Sequence, residues 1–240
     1  SNEAVRLSTN YRIADDNENI DQEVERFIFD ALHDAKLINA DYQTFIDRDN
    51  HTGGSIISAQ KVGPTVAADM VRGAVTAVLL ALVAIFLYIL VRFRNIAFSV
   101  GSVVALAFDT LLVIGVYSIC WGWIGFSLEV DQTFIGAILT VIGYSINDKV
   151  VVFDRMRENL QLHPTMKPFD LFNMSLNSTL TRTVMTSLTT LLVLLCIFIL
   201  GGDSIRSFAF AMILGVIFGT LSSIFLAAPI AYRTLSRKEK

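Results

Sequence analysis

The sequence predicts an α-helical protein that crosses a membrane several times and carries a small α/β domain ahead of its spans. Of its 240 residues, 53% are hydrophobic and 17% are charged, whereas a soluble domain has about one quarter charged residues. The charges crowd residues 1–70, and long apolar runs fill the chain beyond them. Five of these runs approach the length of about 20 residues that a helix needs to cross a bilayer.

The N-terminal segment has the pattern of a partial α/β domain, assigned to residues 1–65. Polarity alternates over residues 5–13 and predicts a strand. Apolar residues recur at helical spacing over residues 19–39 and predict an amphipathic helix, and residues 55–62 are a second candidate strand. So short a unit cannot bury a robust core alone, so we expect it to pair with residues outside the printed sequence.

The transmembrane bundle is assigned to residues 66–235, with a short tail at 236–240. The interleaved apolar and polar residues of 155–180 predict a helix lying at the membrane interface, beginning at Pro168. The spans are expected at about 74–91, 96–120, 134–153, 184–200 and 208–230.

The orientation follows from the positive charges of the short loops. Arg92 and Arg94 lie in the first loop, Arg155 and Arg157 lie in the third, and the tail is basic. Because positive loops stay in the cytoplasm, these parts are expected inside and residues 1–65 outside. A further helix before the printed sequence would carry that segment across, giving six spans.

The third span carries a polar face around Asp148. Residues three and four apart share a helix face, and the opposite face is rich in isoleucine. We expect the isoleucine face to meet lipid and the polar face to point into the bundle. The face contains Gly136, Thr140, Gly143, Tyr144, Asn147 and Asp148.

Two further ionisable residues lie in the spans, where charges are costly and tend to be functional or paired. Arg182 begins the fourth span, with Thr186 on its face, at a depth similar to that of Asp148, so we expect an ion pair. That pair is either purely structural or part of a titrating site. Asp109, in the second span, is either functional or an interhelical hydrogen-bonding group.

Other residues of the spans have simpler interpretations. Lys149 lies roughly 100° around the helix from Asp148 and is expected to reach the cytoplasmic headgroups. Gly215 and Gly219 form a GxxxG pair, typical of close helix packing, which we also expect at Gly136 and Gly143.

Several classes of function lack support in the sequence. It contains no HExxH, GxSxG or Walker motif and no cluster of cysteine and histidine. We therefore expect no enzyme site, metal or cofactor. The net charge of −3 does not indicate a nucleic-acid partner. Cys120 and Cys196 are interpreted as small apolar residues, with a disulfide left open.

Four stretches resemble the SecF family of bacterial protein export. The most specific is GAILTVIGYSINDKVVVFDRMREN at residues 136–159. VGPTVAADM at 62–70, TRTVMTSLTT at 181–190 and GGDSIRSFAFAMILGVIFGTLSSIFLAAPIAY at 201–232 resemble other parts of the family. The resemblance covers most of residues 55–235.

The resemblance implies six spans with the resistance–nodulation–division fold, of which five are present here, and a location in the bacterial inner membrane. The resemblance also implies that the protein functions together with SecD, either as a separate subunit or fused to it. Further partners implied are the SecYEG channel, preproteins and YajC, and the coupling ion would be the proton. The family's membrane-embedded acidic residue and arginine fall on Asp148 and Arg182, and Asp109 matches a third acidic position. The chain departs from the family at Phe108, where histidine is frequent, and at Lys149, where serine or threonine is common.

Two alternatives remain at this point. Half of a small-molecule or lipid exporter of the same superfamily would carry a large external domain with an apolar pocket. A purely structural assembly subunit would tolerate neutral residues at Asp148 and Arg182.

Overall fold

The computed structural model describes residues 7, 9, 11, 20–47, 54–56, 59, 64–124, 126, 128 and 130–238, with the backbone alone at 64–67, 203–204 and 237–238. Eight α-helices and one π-helical segment occur in these residues. Their order is α1 (Ile20–Asp34), α2 (Tyr42–Ile46), α3 (Pro64–Phe93), α4 (Ile96–Cys120), α5 (Gln132–Leu162), α6 (Pro168–Leu200), α7 (Asp203–Ser222), the π-helical segment (Ser223–Ala227) and α8 (Ala228–Lys238). The chain divides into two compact units, residues 1–72 and 73–240.

The first unit contains α1 and α2. The ring of Phe29 on α1 packs against those of Tyr42 and Phe45 on α2, with centroids 5.3 and 5.4 Å apart. The predicted amphipathic helix is confirmed as α1. It ends soon before Lys36, whose φ of 55° is left-handed and unsuited to a continuing helix.

The two strands predicted for this unit fall mostly outside the described residues. Residues 7, 9, 11, 55, 56 and 59, which belong to those stretches and are described, do not form a strand. The α/β character of this unit is therefore not seen in the part of the chain that the structure describes.

The second unit confirms a polytopic α-helical fold. Five described helical stretches are long and apolar enough to cross a membrane, namely Ala68–Phe93, Ile96–Cys120, Gln132–Leu162, Pro168–Leu200 and Ile205–Ser236. Local signals fix the starts of two of them: Asn95 accepts a hydrogen bond from the amide of Ala97, and Asp131 accepts one from the amide of Phe134. The second predicted span, 96–120, matches α4 to the residue.

The interior of this unit is built around α5, which packs most extensively on α7. Ile138 and Ile142 of α5 join Leu106 and Val113 of α4 in one buried cluster. α3 contributes mainly its C-terminal end, where Phe93 packs against Phe98 and Phe153. The rest of α3 leaves most of its apolar side chains exposed, as expected of a helix that faces lipid.

The predicted interfacial helix is wrong in one respect. A helix does begin at Pro168, but it continues without a break to Leu200. At 1.5 Å per residue, α6 is about 50 Å long and exceeds the bilayer core of about 30 Å. α5 likewise continues past its predicted end to Leu162. The two extensions are held together by a buried hydrogen bond of 2.8 Å from Asn159 Nδ2 to Ser175 Oγ.

Candidate functional site

Most of the polar face of α5 that was predicted to enter the bundle lies outside it, although Asp148 on that face is buried. Ile138 and Ile142 are buried, whereas Gly136, Thr140, Gly143 and Asn147 are exposed. Their exposure is explained by the neighbours of α5, because α4 and α7 pack on the large apolar side chains. A polar stripe, defined here as those four exposed residues, therefore runs along the outside of a membrane helix.

Asp148 and Lys149 flank the buried face of α5 on its two sides. Consecutive residues point about 100° apart on a helix, so the two side chains enter different environments. Both are buried, with exposed fractions of 4% and 0%. The predicted divergence of their directions is confirmed, but the expected extension of Lys149 to the headgroups is wrong.

Lys149 lies in a polar cluster between α4, α5 and α7. Its ammonium donates to Asp109 Oδ2 at 2.9 Å, to Ser145 Oγ at 2.5 Å and to Ser222 Oγ at 3.0 Å. Ser145 Oγ in turn donates to Asp109 Oδ2 at 2.7 Å. Asp109 is thus the counter-ion of Lys149, and it stays inside because a buried charge is tolerated when it is paired and hydrogen-bonded.

Asp148 lies on the other side of α5, against α6 and α7. The hydroxyl of Thr220 is 3.5 Å from Asp148 Oδ2, at the outer limit of a hydrogen bond. Thr220 Oγ1 is also 2.5 Å from Ser187 Oγ of α6. The carboxylate is therefore held loosely by hydroxyls in the centre of the bundle.

Arg182 does not form the predicted ion pair in this structure. Among the described residues, no basic group lies within 4.0 Å of the Asp148 carboxylate. The side chain of Arg182 is exposed. The two residues lie on neighbouring helices, as expected, without direct contact.

Tyr144 connects α5 to α6. Its hydroxyl donates to Thr190 Oγ1 at 3.1 Å and approaches the carbonyl oxygen of Thr186 at 3.4 Å. Tyr144 and Thr186, which were assigned to polar faces of different helices, thus meet at one helix interface. Thr140 instead donates to the carbonyl of Gly136 within α5.

Two of the four predicted packing glycines lie at a close helix contact. A Cβ at Gly215 would lie 2.1 Å from Val141 Cγ2, and one at Gly219 would lie 2.6 Å from Ser145 Oγ. Gly136 and Gly143 have open space in the Cβ direction, so their predicted packing role is not seen. The cysteines, whose pairing was left open, are both free.

Sequence reasoning missed the hydroxyl groups that surround the two acidic residues, namely Ser145, Ser187, Thr220 and Ser222. A signal was available for one of them, since Ser145 precedes Lys149 by one helical turn. The others come from distant helices, and only the packing of α6 and α7 brings them to α5.

The comparisons with known proteins agree with this architecture. The family model described as "Protein export membrane protein SecD/SecF, C-terminal" matches residues 45–237. The chain belongs to the SecD/SecF family. Together with the five candidate spans, membership shows that it is a multi-pass membrane protein.

Relatives from several bacteria are similar over most of the chain. Protein translocase subunit SecF of Rhodothermus marinus is 48% identical over 196 residues, covering 81% of this chain and 63% of the relative. SecF of Haemophilus influenzae is 43% identical and covers 77% of this chain and 54% of the relative. The chain thus spans between about half and two-thirds of these SecF relatives. None of these names favours the exporter alternative.

In other relatives SecD and SecF form one chain. SecDF of Thermus thermophilus is 42% identical, with 77% of this chain and 24% of the relative covered. A crystal structure of SecDF from the same organism, described as a translocon-associated membrane protein, has a TM-score of 0.70 at 36% identity and covers 93% of this chain and 27% of that one. The SecF portion of such a fusion is the part that this chain resembles.

Proposed function

We propose that the protein is the SecF part of the accessory complex that assists preprotein export by the Sec translocase across the bacterial inner membrane. It works with SecD and the SecYEG channel, and YajC is a further candidate partner. Residues 1–65 lie in the periplasm and the C-terminus in the cytoplasm. The proton-motive force supplies the energy, as the resemblance to the SecF family implies.

One observation carries the coupling role: a buried carboxylate, Asp148, lies inside the bundle among hydroxyls, and no cation of the described residues is in direct contact with it. Because burying an unpaired charge is costly, gain or loss of a proton at this group changes the energetic balance between packing arrangements of α5, α6 and α7. Arg182, exposed nearby on α6, is the cation that meets the ionised carboxylate in another arrangement. Asp109 is the second acidic group of the path, and here Lys149 neutralises it.

The available energy is sufficient for such a change. Moving one charge through 100 mV is worth about 2.3 kcal/mol. That amount shifts a two-state equilibrium about fiftyfold.

The test is Asp148→Asn, which keeps the shape of the side chain and removes its titration. Export is measured in inner-membrane vesicles from cells depleted of the native protein, with and without a proton-motive force. We expect the variant to lose the stimulation while reaching normal membrane abundance. Asp170→Asn, the same change at an exposed position of α6, is the matched control. Full stimulation with Asp148→Asn at normal abundance would leave only a structural role.

We further propose that the polar stripe of α5 contacts SecD. Polar side chains such as Asn147 are costly against lipid, and the fused relatives carry SecD and SecF in one chain. A photo-crosslinking residue at Thr140 is expected to capture SecD in the membrane. The same residue at Leu80, exposed on α3, is expected to capture none. Equal capture from both positions would refute this assignment.

A further inference from the structure

The cluster around Lys149 has the form of an oxygen-lined cation site in which the cation is the protein's own ammonium group. A lysine ammonium has three N–H donors. It has three close acceptors here, the Asp109 carboxylate and the hydroxyls of Ser145 and Ser222, all within 3.0 Å. The carbonyl oxygen of Ser145 is a fourth, more distant oxygen at 3.5 Å.

The hydroxyl protons of this cluster point away from the ammonium. Ser145 Oγ donates its proton to Asp109 Oδ2. Ser222 Oγ donates its own to the carbonyl of Gly219 at 3.2 Å. Both oxygens therefore present lone pairs to the centre of the cluster, which is the arrangement that a cation requires.

The backbone holds these oxygens at short range. Gly219 lets α7 approach Ser145 so closely that a Cβ there would lie 2.6 Å from Ser145 Oγ. Ser222 lies directly before the π-helical segment Ser223–Ala227, and such segments are frequent at functional sites. Asp109 Oδ1 is buried without a hydrogen-bond partner in the described part of the chain, so the carboxylate has an oxygen to spare for a ligand.

We propose that Lys149 determines ion specificity: its ammonium permanently occupies a site for a monovalent cation such as Na⁺, and so leaves the proton as the coupling ion. Oxygen-lined sites that bind coupling Na⁺ are a recurring feature of membrane transporters. This proposal rests on the proposed coupling function. Cation binding at this site, however, can be measured on the purified folded protein without an export assay.

The test removes the ammonium and offers Na⁺ in its place. Full-length wild-type and Lys149→Ala proteins are purified in detergent, and their melting temperatures are followed while NaCl replaces choline chloride at constant ionic strength. A ligand that binds only the folded state raises its stability with the logarithm of ligand concentration. We expect this rise for Lys149→Ala, with Na⁺ binding at least tenfold tighter than in the wild type, and no difference between the salts for the wild type.

The double variant Asp109→Asn with Lys149→Ala is the matched control, because it lacks the carboxylate and is expected to lose the Na⁺ response. Asp148→Asn combined with Lys149→Ala is expected to keep it, which separates this site from the coupling site. Lys149→Thr serves as a second variant that adds a hydroxyl. A folded Lys149→Ala without a Na⁺ response, an equal response in the wild type, or failure of both lysine variants to fold even in Na⁺ would overturn the proposal.

Discussion

Lys149 Nζ lies 2.9 Å from Asp109 Oδ2, although the two residues belong to different helices and neither side chain is more than 1% exposed. The pair joins α5 to α4 near the middle of the bundle, and Ser222 ties it to α7. A buried ion pair adds little net stability relative to apolar residues, but the loss of one partner leaves a buried charge without compensation. The effects of neutralising Lys149 and Asp109 on the free energy of unfolding are therefore expected to be non-additive.

Single neutralisation of this pair is expected to destabilise the protein strongly. Lys149→Met leaves Asp109 buried and unpaired, and we expect a loss of about 3–5 kcal/mol in the free energy of unfolding. The double variant Asp109→Asn with Lys149→Met is expected to recover most of that loss. Denaturant titration in detergent, followed by circular dichroism, measures both. A double variant as unstable as the sum of the two single variants would show that the charges do not interact.

The close contact of α7 with α5 predicts different outcomes for two glycines. Gly215→Ala places a methyl group 2.1 Å from Val141 Cγ2, and overpacking of this kind costs about 1–3 kcal/mol. Gly143→Ala meets open space and replaces a flexible helical residue, so we expect unchanged or slightly higher stability. Thermal unfolding of the two purified variants measures the difference. Equal effects would contradict the packing described for α7.

Arg182 is expected to separate stability from activity. Because its side chain is exposed and makes no direct ion pair with Asp148 here, Arg182→Gln should change the free energy of unfolding by less than about 0.5 kcal/mol. The same variant should lose the stimulation of export by the proton-motive force. Arg182→Lys, which keeps the charge without the planar fork, should be partly defective. Thermal unfolding measures the change in stability, and export assays on the same preparations measure the loss of stimulation. Normal export with Arg182→Gln would remove Arg182 from the coupling site.

The proposed orientation predicts opposite labelling of two single cysteines. In a protein whose Cys120 and Cys196 have been replaced by serine, a cysteine at Tyr11 should react with an impermeant maleimide from the periplasmic side. A cysteine at Arg157 should react only after the membrane is opened, because basic loops stay in the cytoplasm. Reaction of both positions from one side would refute the orientation.

The sequence predicted the spans well because apolar runs and helix-starting residues are local signals. α4 begins after Asn95, which caps it, and ends where the apolar run ends. The end of α5 was placed too early, and the span within α6 was started too late, because the polar extensions of both helices are held by tertiary contacts. Asn159 bonds Ser175 there, and Leu171 and Phe172 are buried. No local pattern encodes those contacts.

The candidate site was only half predictable. Asp109, Asp148 and Arg182 stand out because charged residues are rare in apolar runs. The partner of each depends on which face of α5 meets α4 and α7, and that is set by the fit of Gly215 to Val141 and of Gly219 to Ser145. The polar stripe was assigned to the interior because the polar face of a membrane helix usually points into its bundle. In the structure the stripe lies outside.

The outward polar stripe also has a consequence for the cellular abundance of this protein. If the stripe contacts SecD as proposed, a copy without SecD exposes the Asn147 side chain to lipid, which offers no hydrogen bonds. Such an orphan subunit is the less stable form, and marginally stable proteins are removed continuously by proteases. We therefore expect the abundance of this chain to follow the synthesis of SecD, so that the stoichiometry of the complex is set by turnover of the excess subunit.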